Sequence, residues 1–238
     1  MNHRLFKNLG PIVAAALLVG GCAGKEPIPN NGEKTGQGAA IGALAGALLG
    51  AAVNRHDHAK GAVVGAVLGA AAGGAIGYSL DKQAQEVADS MQTAVSQNET
   101  EAIRHNDIVV TKTDKYVKIT FKSAMMFETD KADPTPEARE KIARLVDVLK
   151  NYPDTIVQVV GHTDSRGSYD YNLKLSQKRA WSVARILKNL GVTNTIYARG
   201  CSFSKPLVPN DTPEHMAMNR RVEIYLYPDE ASVINACQ

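Results

Sequence analysis

The spacing of hydrophobic residues in the C-terminal half of the chain predicts a fold of strands and helices. Apolar and polar residues alternate at Val117, Ile119 and Phe121, which is the period of a half-buried strand. Similar runs of β-branched and aromatic residues predict strands at residues 108–110, 116–121, 156–160, 196–198 and 222–226. Because the polar pair Asp114-Lys115 separates the first two strands, these two are expected to form a hairpin.

Two segments between the strands have the 3.6-residue period of an amphipathic helix. The first begins with Thr135 as its N-cap and Pro136 in its first turn. The second begins near Asn172, a residue type that caps helices, and Gly191 stops it after Asn189. The element order β-β-α-β-α-β-β predicts an α+β fold, in which the helices pack on one face of a mixed sheet.

A positively charged residue interrupts the apolar face of the second helix. Leu175 and Val183 belong to the apolar stripe, and Arg179 occupies the position between them. A buried charge is unfavourable unless it is paired or lies at a wet edge. The first turns of this helix should lie close to the loop that carries Asp164, which follows the strand at 156–160. The sequence leaves two alternatives: Asp164 and Arg179 pair with each other, or both face a cleft that binds a charged ligand.

The residues around this predicted cleft resemble a known family. The sequence has Gly-His-Thr-Asp at 161–164, Asn172, Leu-Ser at 175–176, Arg-Ala at 179–180 and Asn-Arg-Arg-Val-Glu-Ile at 219–224. This pattern is similar to the peptidoglycan-binding C-terminal domain of OmpA-like proteins, and the resemblance covers residues 107–228. The sequence departs from the family at Gly200-Cys201-Ser202-Phe203, where the family usually has a Gly-rich turn.

The resemblance implies a ligand and the residues that bind it. In the family, the residues that match Asp164 and Arg179 hold the zwitterionic centre of diaminopimelate in the stem peptide of peptidoglycan. Opposite charges suit this centre, because Arg presents a planar fork to the carboxylate and Asp accepts hydrogen bonds from the ammonium group. The remaining residues that we assign to peptidoglycan binding on this basis are Asn172, Leu175, Thr129, Asp130, Arg220 and Arg221. Of the two arginines, one is expected at the rim of the cleft and the other in a carboxylate contact at the start of the last strand.

The N-terminal residues have the organisation of a secretory signal. Basic residues precede an apolar run at 11–19, and small residues follow it. Val-Gly-Gly-Cys at 19–22 resembles a lipobox, which implies that residues 1–21 are removed and that Cys22 is lipidated. An ordinary secretory signal with an unrelated cysteine is the alternative. Ala23 follows the cysteine where an Asp would favour the inner membrane, so the resemblance implies the outer membrane.

Glycine recurs at every fourth position in two apolar blocks after a predicted tether at 22–35. The glycines are Gly38, Gly42, Gly46 and Gly50, then Gly61, Gly65, Gly69, Gly73 and Gly77. Each glycine disfavours an isolated helix by about 1 kcal/mol relative to Ala, so their repetition along one helix face indicates close helix packing. Residues 36–80 resemble the glycine-zipper segments of envelope lipoproteins, which implies a helical hairpin, and a flexible linker is the alternative. Residues 81–106 are predicted to be a linker or helix, and residues 229–238 a C-terminal tail.

The composition and the missing motifs exclude several classes of function. A net charge of +3 without a basic run argues against a nucleic-acid partner. No phosphate-binding loop and no Cys-x-x-Cys motif is present, so neither a cofactor nor a metal site is predicted. His162, Asp164 and the nearby serines lack the strand-elbow-helix context of a hydrolase, which argues against an enzyme.

His162 is instead expected to shape the loop by hydrogen bonding, and Trp181 to pack on a neighbouring helix or the sheet. Cys201 and Cys237 could form a disulfide in an oxidising compartment or remain free thiols.

Two hypotheses about function follow. The first is a lipid-anchored outer-membrane protein whose periplasmic domain binds peptidoglycan without a covalent bond and so anchors the membrane to the wall. The second is a glycine-zipper homo-oligomer that forms an assembly or pore in the membrane and that the C-terminal domain anchors to the wall. Neither hypothesis requires a cofactor.

Overall fold

The computed structural model describes residues 79–238. The predicted signal peptide, the tether and nearly all of the predicted glycine-zipper hairpin therefore lie outside the described residues. Between residues 79 and 238, no helix is both long and apolar enough to cross a membrane.

Six strands form one mixed sheet with the order β1-β2-β3-β6-β4-β5. The strands are β1 (Val95–Ser96), β2 (Ile108–Lys112), β3 (Val117–Lys122), β4 (Ile156–His162), β5 (Ile196–Gly200) and β6 (Arg221–Tyr227). The pairs β1–β2 and β4–β5 are parallel, and the other three pairs are antiparallel. The predicted strands and the mixed α+β class are confirmed. The two-residue β1 was not predicted, because so short an edge strand carries no period.

The helices are α1 at residues 79–91, α2 (Glu99–His105), α3 (Ser123–Met126), α4 (Pro136–Asn151), α5 (Tyr169–Asn189) and α6 (Pro213–Asn219). Thr135 caps α4 as predicted, since its side chain accepts a hydrogen bond from the Ala138 N–H. The predicted start of α5 at Asn172 was wrong. Ser168 is the N-cap, and its hydroxyl accepts from the N–H of Tyr171.

One face of the sheet carries the main hydrophobic core. Buried side chains of α1, α4 and α5 pack there against alternate strand residues such as Val110, Val159 and Ile224. The prediction that the helices pack on one face therefore holds for α4 and α5. The short helices α2 and α6 cover the opposite face, where Ile103 and Met218 pack with Val109.

The C-terminal residues are part of the folded domain. Cys201 and Cys237 form a disulfide, with their Cα atoms 5.2 Å apart. Ala236 is buried in a cluster with Ile156 and Tyr225, on the face of the sheet away from the main core. This link holds the end of the chain against the loop that follows β5.

Two glycines allow α5 to lie directly on the backbones of β4 and β5. A Cβ atom at Gly161 would come within 2.2 Å of the Ser176 carbonyl oxygen, and one at Gly200 within 2.4 Å of the Gln177 nitrogen. Only glycine permits this approach. The helix is therefore fixed over the C-terminal end of β4, where Asp164 leaves the sheet.

Candidate functional site

A cavity of about 400 Å³ opens where β4 ends and β6 begins. It lies between the segment around α3, the loop after β4 and the first turns of α5. Of the residues predicted from the sequence, it brings together Thr129, Asp130, Asp164, Asn172, Leu175, Arg179 and Arg220. The register explains part of this arrangement, because His162 pairs with Arg221 across the antiparallel β4–β6 ladder. The residues that follow β4 and precede β6 must therefore be neighbours.

Arg179 is buried in the cavity wall but does not pair with Asp164. Its Nε donates to the Lys131 carbonyl at 3.0 Å, and its guanidinium carbon lies 4.9 Å from the centre of the Phe127 ring. No group within residues 79–238 accepts a hydrogen bond from its two Nη atoms. Burial lowers the pKa of Arg179, and the nearby Asp130 opposes that shift. A direct Asp164–Arg179 pair, one of the two alternatives from the sequence, is therefore absent from this arrangement.

Asp164 is buried and is held by two other arginines. Its Oδ2 accepts from Nη1 of Arg220 at 2.6 Å, and from Nε and Nη2 of Arg166 at 3.1 and 2.9 Å. Its Oδ1 accepts only the backbone N–H of Arg166, at 3.0 Å, among the residues that the structure describes. Burial raises the pKa of Asp164, but the hydrogen bonds from Arg166 and Arg220 outweigh it and leave the pKa below its usual value. Asp164 is therefore an anion with one oxygen still open to a further donor.

Asn172 shapes the loop that carries Asp164. Its Nδ2 donates to the Arg166 carbonyl at 2.7 Å, and its side chain is buried. Gly167, the residue after Arg166, has a positive φ of 85°, a conformation that glycine adopts without strain. The loop after β4 thus has a fixed backbone that returns to the start of α5.

Two hydroxyl groups in the cavity wall have no hydrogen-bond partner within the described range. They belong to Ser123 and Thr163, and both side chains are buried. A buried hydroxyl without a partner is unfavourable, so each could gain by bonding a ligand. Neither residue was predicted from the sequence to contact a ligand, although Thr163 stands directly before Asp164.

Arg221 does not reach the cavity. It is buried on the sheet, where its Nε donates to Oε1 of Glu223 at 2.7 Å. This corrects its inclusion among the residues that could contact a ligand. The two arginines do differ in the expected way. Arg220 lines the cavity, and Arg221 contacts a carboxylate at the start of β6.

Two further expectations from the sequence were wrong. His162 lies in β4 rather than in the loop, and its Nε2 is 3.1 Å from Oε2 of Glu223. Trp181 is not buried against a helix or the sheet, because 59% of its surface is exposed. It projects from α5 away from the apolar stripe.

The cavity presents charges of both signs. Positive charge comes from Arg166, Arg179 and Arg220, and negative charge from Glu128, Asp130 and Asp164. Arg166 and Arg220 pair with Asp164, whereas Arg179 does not. A ligand with a carboxylate and an ammonium group a few ångströms apart could contact both signs at once. Within residues 79–238, no group of three or more His, Cys, Asp or Glu side chains is arranged to hold a metal ion. The chemistry that the arrangement offers is charge-assisted hydrogen bonding.

Comparison with curated proteins gives partial matches. The chain is 37% identical over 127 residues to the probable lipoprotein YiaD of Escherichia coli (strain K12), which covers 53% of this chain and 58% of that protein. It is 41% identical over 99 residues to the peptidoglycan-binding protein ArfA of Mycobacterium tuberculosis (strain ATCC 25618 / H37Rv), which covers 41% of this chain and 30% of ArfA. The matched segments thus span little more than half of the first relative and less than a third of the second.

One solved structure has a similar fold, and two family models match parts of the sequence. The fold is similar to the crystal structure of a MotB-like protein from Desulfovibrio vulgaris, with a TM-score of 0.50 and 21% identity, over 62% of this chain and 95% of that one. At this identity the likeness shows the fold alone. The YMGG-like Gly-zipper model matches residues 1–81, and the OmpA family model matches residues 126–220. The segment that matches the OmpA family contains the whole loop after β4 and the helix α5, and it follows the Gly-zipper match in the sequence.

Proposed function

We propose that this chain is an outer-membrane lipoprotein that binds peptidoglycan non-covalently and anchors the outer membrane to the cell wall. The ligand group is the zwitterionic centre of diaminopimelate in the stem peptide. Arg179 and Asp164 make the two principal contacts, and Arg220, Asn172, Leu175, Thr129 and Asp130 complete the site.

One observation carries this proposal: a buried cation and a buried anion line the same cavity without neutralising each other. The two Nη atoms of Arg179 are available to a carboxylate, and Oδ1 of Asp164 is available to an ammonium group. Buried charges are usually paired, because an unpaired one is costly. A zwitterionic ligand would supply the carboxylate that Arg179 lacks and a further donor to Oδ1 of Asp164, whose Oδ2 is already held by Arg166 and Arg220.

The similar proteins support the class of ligand and the absence of catalysis. YiaD is named a probable lipoprotein and ArfA a peptidoglycan-binding protein. The OmpA family model runs from residue 126 to residue 220, so it includes every residue of the proposed site. We therefore propose a binding protein rather than an enzyme.

Lipidation of Cys22 would hold the chain at the outer membrane, with the OmpA-family domain in the periplasm. The Val-Gly-Gly-Cys sequence and the name of YiaD support this anchor. The second hypothesis, a glycine-zipper assembly, concerns residues outside the described range, and no contact within residues 79–238 favours it.

The test is co-sedimentation of the full chain, solubilised in detergent, with purified sacculi. Asp164→Ala and Arg179→Ala should each lose binding, because each removes a charge-assisted bond and leaves a charged group on the ligand without its partner, together on the order of 2 to 5 kcal/mol. Arg185→Ala is the control, because it removes an exposed charge from the same helix. Retained binding by either site variant, with an unchanged melting temperature, would refute the proposed site.

A further inference from the structure

Arg166 covers the Asp164 carboxylate from the solvent side of the cavity. Its Nε and Nη2 both donate to Oδ2 of Asp164, at 3.1 and 2.9 Å. The two side chains differ sharply in environment, because 67% of the Arg166 side chain is exposed and only 6% of the Asp164 side chain. A buried anion is thus paired with a largely hydrated cation.

The backbone of Arg166 is fixed while its side chain is free to leave. Its N–H donates to Oδ1 of Asp164, and its carbonyl accepts from Nδ2 of Asn172 at 2.7 Å. Among the described residues, its guanidinium donates hydrogen bonds only to the Asp164 carboxylate, although the charge of Asp130 also attracts it. Rotation of the side chain into water would therefore break one ion pair and leave the loop intact.

Arg220 holds the same carboxylate oxygen in a different way. Its Nη1 is 2.6 Å from Oδ2, and its side chain is 31% exposed. Its carbonyl accepts from the Ser123 N–H at 2.8 Å, which fixes its backbone between α3 and β6. Asp164 therefore keeps Arg220 as its counter-ion when the Arg166 side chain departs.

We propose that Arg166 competes with the ligand's ammonium group for the Asp164 carboxylate, and that this competition lowers the affinity of the site for its ligand. This inference rests on the proposed function, because it assumes that Asp164 receives that ammonium group. The ammonium group takes Oδ1 of Asp164, and the positive charge that it brings beside the Arg166 guanidinium on Oδ2 drives that side chain off the carboxylate, so the ion pair that is lost opposes binding. The displaced side chain makes no new contact with the ligand.

The experiment is calorimetric titration of the full chain in detergent with meso-diaminopimelate. Arg166→Gln should bind about two- to fivefold more tightly than the wild type, which is the range that loss of an exposed ion pair corresponds to. Arg185→Gln is the matched control, because it removes the same charge from a side chain that is 68% exposed. Its affinity should equal that of the wild type, whereas a general effect of net charge would change both variants alike.

A second ligand separates competition from direct contact. Pimelate has the two carboxylates of diaminopimelate but no amino groups, so it has nothing to exchange with Arg166. Arg166→Gln should therefore not bind pimelate more tightly than the wild type does. Equal or weaker binding of meso-diaminopimelate by Arg166→Gln would overturn the inference, and the proposed function would stand if the wild type binds. If neither protein binds meso-diaminopimelate, the proposed function and the inference both fail.

Discussion

Thr163 is the residue whose environment is hardest to explain by folding alone. Its hydroxyl is buried at the cavity wall and has no partner within residues 79–238. Its backbone N–H is already used, because it donates to the Ser202 carbonyl at 2.9 Å. Such a hydroxyl costs stability in the free protein, and a polar ligand in the cavity could offset that cost.

Thr163→Val is predicted to separate binding from stability. Valine has the same shape without the hydroxyl, so the free energy of unfolding should stay the same or rise. Sacculus binding should weaken about two- to tenfold, which corresponds to the loss of one hydrogen bond. Urea unfolding and co-sedimentation measure the two quantities.

Thr120→Val is the control, and we expect the opposite of the Thr163→Val result from it. The Thr120 hydroxyl donates to Oε1 of Glu99 at 2.6 Å and does not line the cavity. This variant should lose stability and keep its binding. Unchanged sacculus binding by Thr163→Val would mean that the hydroxyl does not contact the ligand.

At the scale of elements, a buried polar cluster joins the end of β4 to the start of β6. Oε2 of Glu223 contacts His162 and accepts from the Tyr225 hydroxyl at 2.7 Å, while Oε1 accepts from Arg221. Asp164 follows His162 by two residues, and Arg220 directly precedes Arg221. The cluster therefore fixes the two chain segments from which Asp164 and Arg220 enter the cavity.

This cluster should make the domain less stable in mild acid. Burial lowers the pKa of His162 below 6.5, although Glu223 opposes the shift. Burial raises the pKa of Glu223, but Arg221 and His162 outweigh it and hold the pKa well below its usual value. In both cases the unfolded chain takes up its proton at a higher pH than the folded chain does. The stabilisation is thus complete above pH 6.5 and is lost as the pH falls, first through His162 and then, below 4.5, through Glu223.

His162→Gln should weaken this pH dependence. Glutamine can still donate an N–H to Glu223 but does not titrate. Between pH 7.5 and 5.5 the wild type should lose more free energy of unfolding than the variant, with a slope of at most about 1.4 kcal/mol per pH unit for one proton. Urea unfolding at the two pH values measures the difference. Equal losses in the two proteins would contradict the assignment of this titration to His162.

The sequence predicted elements where the signal is local and missed them where it depends on tertiary contacts. Thr135-Pro136 gave the start of α4, because a cap and a first-turn proline act within one turn. Thr212-Pro213 carries the same signal for α6, but the seven residues of that helix are too few to show an apolar period. The inward position of Arg179 was predictable from the stripe of α5. The contact of Arg166 with Asp164 was not predictable, because it depends on the path of the loop between β4 and α5.

At the scale of the whole molecule, the folded unit extends beyond the range that the OmpA family model matches. Leu80, Val87 and Met91 of α1 are buried in the main core, and Asp81 forms an ion pair with Lys112 of β2. The family model begins only at residue 126. The segment at 81–106, predicted as a linker or helix, thus contributes α1, β1 and α2 to the same domain.

The proposed lipid anchor at the other end of the chain gives a prediction about Cys22. Cys22→Ser removes the thiol that would carry the lipid, so the chain should remain unprocessed or should leave the membrane fraction. Fractionation of the envelope and labelling with radioactive palmitate measure both outcomes. A Ser variant with normal processing and normal membrane partition would show that Cys22 is not the anchor.

The most direct test of the central claim is a titration that compares two stem peptides, one with diaminopimelate and one with lysine at the same position. The two residues differ only by the side-chain carboxylate that Arg179 is proposed to bind. The wild type should prefer the diaminopimelate peptide by at least about tenfold, since a hydrogen bond to a charged group contributes roughly 1.5 to 3 kcal/mol. Arg179→Gln should lose that preference. Equal affinity of the wild type for the two peptides would contradict the claim that Arg179 and Asp164 together recognise a zwitterion.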